Sequence, residues 1–67
     1  MNEQTLLEIL MVKYQNAIVK NKAYTQWQKD NPSKYYWMYE GEKVPKAEIQ
    51  RLGIMIRQTM IDYEKHL

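Results

Sequence analysis

Few residues in this chain combine the type and spacing needed to do chemistry. Glu40 and Glu42 flank Gly41 as a carboxylate pair, the kind of pair that works as acid and base when its surroundings push the two pKa values apart. They fall on what reads as a solvated turn beside Lys43, where nothing would raise a pKa. His66 is the single histidine and Ser33 the single serine. No orienting neighbour is in view for His66, which reads as a cation beside a helix C-terminus. Ser33 follows Pro32 with no histidine near it in any plausible fold. The two glycines are isolated, so no phosphate-cradling loop exists. There is no cysteine, which removes disulfides and thiolate zinc sites together, and one histidine makes no metal cluster. Neither enzyme activity nor a cofactor nor a metal is expected. What remains is binding.

The segment Lys20–Tyr39 carries the strongest binding signal. It interleaves Lys20, Lys22, Lys29 and Lys34 with Tyr24, Trp27, Tyr35, Tyr36, Trp37 and Tyr39. Lysines bind phosphates, and exposed rings stack on the bases of single strands. Large aromatic side chains are equally the anchors of protein interfaces. Lys22, Trp27, Lys29, Tyr35, Trp37 and Tyr39 are therefore the candidate binding residues for either partner. Two features weaken the nucleic-acid alternative. Lys13 and Lys20 share one helical face while Lys22 and Lys29 share another, so no single basic stripe forms. Arginine, the main reader of base edges and phosphates, occurs only at Arg51 and Arg57. The formal net charge of +2 adds little. In a chain without phenylalanine, tyrosine and tryptophan must also build the core.

The elements that position these residues follow from breakers and periodicity. A chain of 67 residues forms one domain, 1–67, and buries only roughly 60% of its unfolded surface. Regular helix packing or oligomerisation must then supply stability. Thr5-Leu6-Leu7-Glu8 has the form of a capping box, with Asn2 as an alternative cap. Neither glycine nor proline then interrupts the chain before Asn31-Pro32, which predicts a helix over about 3–30 with a possible break near Asn21. The aromatic run 35–39, followed by Gly41 and Lys43-Val44, predicts a short β-hairpin over about 35–44, with Gly41 at positive φ in its turn. That hairpin puts Tyr35, Trp37 and Tyr39 on one face and Tyr36 and Met38 on the other. Pro45 suits the first turn of a helix, and Glu48 its positive end, so a last helix spans about 45–65. The expected fold is mainly α, in the order α-ββ-α.

The last helix carries an apolar stripe of Ile49, Leu52, Ile56, Met60, Tyr63 and Leu67. It should pack on Leu6, Leu10, Tyr14, Ala17 and Tyr24 of the first helix, with Leu7, Met11 and Ile18 at the edge. Gly53 in that helix allows either close backbone approach or simple tolerance. A second stripe, Ala47, Ile54 and Ile61, points nearly opposite. The first helix likewise has Ile9, Val12, Val19, Ala23 and Trp27 off its main face. A helix apolar on two sides is buried on two sides. Ala47, Ile54 and Ile61 are thus expected to form a homo-oligomer interface, most simply in a dimeric helical bundle. A partly covered surface patch and a different protein partner stay open.

Met1-Asn2-Glu3-Gln4 lacks a basic stretch ahead of Leu6, and no small-residue cleavage site follows Val12. No secretory signal is expected, and the apolar run Ile9–Val12 is far short of a membrane span. A cytoplasmic setting without membrane contact follows as the expectation. In texture (very short, cysteine-free, rich in Lys, Asn, Ile and Tyr) the chain resembles accessory open reading frames of phages and mobile elements in low-GC bacteria. The resemblance is compositional and assigns no residue a role. It implies a regulator or inhibitor that docks on a larger bacterial protein. A small nucleic-acid-binding protein using segment 20–39 is the alternative.

Overall fold

The computed structural model describes residues 2–66. Helix α1 (Glu3–Asp30) and helix α2 (Lys46–Lys65) run antiparallel, joined by a connection that contains one 3-10 turn, Tyr36–Met38. His66 Nε2 lies 3.3 Å from Glu3 Oε1 at one end, and Lys20 Nζ lies 2.7 Å from Glu42 Oε2 toward the other. The pairs fix the sense of the hairpin of helices. Both are exposed enough to add little stability.

Asn2 caps α1: its side-chain oxygen accepts from the Thr5 N–H at 2.8 Å, so the threonine is inside the helix and the capping box is not used. No break occurs at Asn21. Its carbonyl accepts the Thr25 hydroxyl at 2.9 Å, and the helix continues because packing, more than propensity, stabilises it. α1 stops where Pro32 requires. The Asn31 N–H and Nδ2 both donate to the Trp27 carbonyl at 2.9 Å. α2 begins one residue after Pro45, which occupies the cap with φ −62°. Glu48 in its first turn holds Arg51 through a fork of 2.7 and 2.9 Å, and the carboxylate raises the arginine pKa further.

The expected β-hairpin is absent: no strand occurs among the described residues. Two short arms without a third strand are marginal in water. A 3-10 turn and the aromatic contacts described below take their place. Gly41 does not adopt positive φ. Its lack of a side chain serves another purpose, because a Cβ there would lie 2.5 Å from Tyr39 Cζ. The alternating faces fail with the hairpin: Tyr39 turns inward and leaves Tyr35 and Trp37.

Leu10, Ala17 and Leu52 form the core cluster, with Tyr14, Val44, Ile49 and Ile56 against it. Two expected core residues change places with a neighbour. Leu6 and Met60 are exposed, while Leu7 is half-buried and Thr59 is buried. The inward rows are 7-10-14-17-21-24 and 49-52-56-59-63, a strict three-four alternation of 3.5 residues per turn, as in paired coiled-coil helices. Thr59 tolerates burial because its hydroxyl donates to the Met55 carbonyl at 2.7 Å. Leu67, expected to extend the stripe, lies outside the described residues.

The result is a rod of 52 × 15 × 14 Å with a radius of gyration of 15.6 Å, against about 11 Å for a compact chain of this length. Its accessible surface of 5580 Å² exceeds the roughly 4,500 Å² of a compact monomer of this mass. Two helices side by side cover only one face of each.

Candidate functional site: the aromatic end of the rod

α1 is eight residues longer than α2, being 28 residues against 20. Its last turns are therefore covered by the connection, and aromatic rings make that cover. Tyr39 sits edge-on to Tyr24 with centroids 5.1 Å apart and tilted over Trp27 at 5.3 Å. Tyr24 and Trp27 stack at 6.2 Å. The Lys43 ammonium lies 4.9 Å from the Tyr24 centroid and 4.8 Å from that of Tyr36, a double cation–π contact that ties the connection down. Tyr24 is buried, and its hydroxyl accepts from Gln28 Nε2 at 3.1 Å.

With those rings fixed inward, the 3-10 turn presents others outward. Tyr35 and Trp37 stack in parallel at 5.7 Å and 6°. Tyr35, Tyr36 and Trp37 are 64%, 64% and 66% exposed, and Met38 is exposed beside them. Rings this large are seldom left in water without a partner. An open cleft next to them is lined by Trp27, Lys34, Met38, Tyr39, Glu40 and Gly41.

The structure thus divides the six residues expected to bind. Tyr35 and Trp37 come together on the surface. Trp27 and Tyr39 are half-buried in the internal cluster. Lys22 and Lys29 are exposed on α1 and share a face by their seven-residue spacing. Tyr36, Met38 and Lys43 are not among these six, because the expected hairpin placed Tyr36 and Met38 on the face opposite Tyr35, Trp37 and Tyr39.

The candidate chemical groups stay apart from one another, although His66, expected to lack a neighbour, meets the Glu3 carboxylate at 3.3 Å. Glu42 is paired with Lys20, and Glu40 and Ser33 are exposed. Among the described residues no group of three or more His, Asp or Glu side chains is placed to hold a metal ion, and no helix is long and apolar enough to cross a membrane. Ala47, Ile54 and Ile61 are all exposed, Ile54 at 69%. No dimeric assembly is shown for them. No protein-family model matches the chain, and neither a curated protein nor a solved structure matches it.

Proposed function

We propose that this protein is a non-enzymatic protein-interaction module that holds its partner with the exposed aromatic end of the rod. The observation that carries the reading is the group Tyr35, Tyr36, Trp37 and Met38, uncovered at one end of the molecule. Each ring offers roughly 150–250 Å² to a partner, and tryptophan and tyrosine are the residues most often found as interface anchors. The anchor is also pre-shaped. The Tyr35–Trp37 stack and the Lys43 contact with Tyr36 restrict the rings before binding, which lowers the ordering cost of association.

Of the lysines around these rings, Lys43 is engaged with Tyr24 and Tyr36 and Lys20 with Glu42, and Lys34 is the one cation among the described residues that line the cleft. This favours a protein partner over a phosphate backbone. The composition suggests the kind of partner: a larger protein of a bacterial cytoplasm, on which a phage- or mobile-element-type module acts as regulator or inhibitor.

The test is affinity capture from a bacterial lysate with mass spectrometry, comparing wild type with Trp37→Ala and with Lys22→Gln/Lys29→Gln. A protein captured by wild type and by the lysine variant, and lost with Trp37→Ala, supports the reading. Capture that survives Trp37→Ala and Tyr35→Ala but fails with the lysine variant overturns it.

A further inference from the structure

The back of α1, opposite α2, carries its own coiled-coil seam. Thr5, Ile9, Val12, Asn16, Val19, Ala23 and Gln26 follow the same three-four alternation as the inner row. They lie outside the packed face: Ile9 and Val12 are exposed, and Val19 is 66% exposed. In heptad terms, Ile9, Asn16 and Ala23 take the a positions, and Thr5, Val12, Val19 and Gln26 the d positions. We propose that the occupant of this face is a second copy of the chain, paired α1 to α1 in parallel.

Three observations select that occupant and that orientation. First, Asn16 stands alone among apolar a positions. A single asparagine at a fixes register and orientation when it meets its own counterpart across a parallel pair, where each amide satisfies the other. An antiparallel pairing of these rows sets Asn16 against Val19 instead. Second, the flanks agree. In parallel register each g position faces the e position of the next heptad on its partner. Glu8 then meets Lys13 of the other copy, Gln15 meets Lys20, and the Lys22 stem covers Trp27. An antiparallel pair centred on this seam faces Lys13 with Lys20. A shallow depression already runs between Glu8, Ile9, Val12 and Lys13, with room for a side chain of the facing helix. Third, the surface of 5580 Å² exceeds that of a compact monomer by on the order of 1,000 Å², comparable to the about 800 Å² each partner buries in a standard interface.

The α2 stripe is the poorer seam. Between Ala47, Ile54 and Ile61 the intervening positions are Gln50, Arg51, Arg57 and Gln58, so apolar residues recur only every seventh position and half of the knobs are missing.

Parallel pairing has a consequence for binding that rests on the function proposed above. Both aromatic ends lie at the same end of the dimer, and the module presents two copies of Tyr35 and Trp37 side by side. A repeated or twofold partner then gains affinity through effective concentration.

The dimer is tested on the protein alone, without reference to any partner. Sedimentation equilibrium at micromolar concentration should give twice the chain mass of 8.2 kDa. Val19→Lys should return it to the monomer mass with helical circular dichroism unchanged, because Val19 is outside the core. The natural chain has no cysteine, so Thr5→Cys places a single thiol at a d position. In a parallel pair it should oxidise to a covalent dimer, whereas Gln4→Cys at the flank should do so much more slowly. A monomer mass throughout, a dimer untouched by Val19→Lys, or a dimer in which Thr5→Cys does not cross-link would each overturn the proposal. Partner capture that survives Trp37→Ala and Tyr35→Ala would leave all three readouts unchanged, so a failure of the functional reading is distinguishable.

Discussion

The Trp37 indole lies parallel to the Tyr35 ring, 5.7 Å between centroids and 6° between planes, and both rings face solvent. A second aromatic group, Tyr24, Trp27 and Tyr39, packs the connection onto α1. One set of rings folds the connection and the other is offered by it.

Removing an outward ring should therefore separate stability from binding. Trp37→Ala deletes one exposed stacking contact, worth on the order of 1 kcal/mol at most, and Tyr35→Ala should behave alike. Urea unfolding followed by circular dichroism should show both variants close to wild type while capture is lost. Unfolding of Trp37→Ala by several kcal/mol would mean that the ring belongs to the core.

Gly41 and Tyr39 should be coupled. Gly41→Ala introduces a Cβ into the space of the Tyr39 ring, 2.9 Å from its Cε2, so the ring must leave Tyr24 and Trp27. The expected cost is about 1 kcal/mol, together with a change in near-ultraviolet circular dichroism. In a Tyr39→Ala background the same substitution should cost almost nothing, and a double-mutant cycle measures the difference. Equal costs in the two backgrounds would dismiss the steric account.

Gly53 should behave in the opposite way. A Cβ at this mid-helix position meets only the Tyr14 ring edge at 3.9 Å, an ordinary contact. Gly53→Ala should then stabilise α2 by roughly 1 kcal/mol, the helix-propensity difference between the two residues. Of the two readings of Gly53, tolerance fits this space and close backbone approach does not. A lowered urea midpoint would reverse that conclusion.

A labelled single-stranded oligonucleotide should bind weakly or not at all at two ionic strengths. Each phosphate neutralised by lysine releases counterion and steepens the salt dependence. Sub-micromolar affinity that falls steeply with salt, with a slope flattened by changing Lys22 and Lys29 together, would move the function to nucleic-acid binding.

Local chemistry settled much of this protein before any packing was considered. Pro32 restricts Asn31 and ends α1 at Asp30, and the chain between Asn2 and that point contains no breaker. Pro45 likewise places the start of α2, and the absence of cysteine excludes disulfides and thiolate metal ligands from sequence alone. Tertiary structure decided the rest. Leu6 or Leu7, and Thr59 or Met60, satisfy a helical period equally well, and only the facing helix selects the 3.5-residue row that turns Leu7 inward and buries Thr59. An aromatic run such as 35–39 suits a strand or a turn. Which one forms depends on whether a neighbouring strand exists or, as here, Tyr24, Trp27 and Lys43 wait on other elements to receive Tyr39 and Tyr36. Contacts between residues far apart in the chain leave no periodic trace within either segment, and they determined which rings pack inside and which stay exposed.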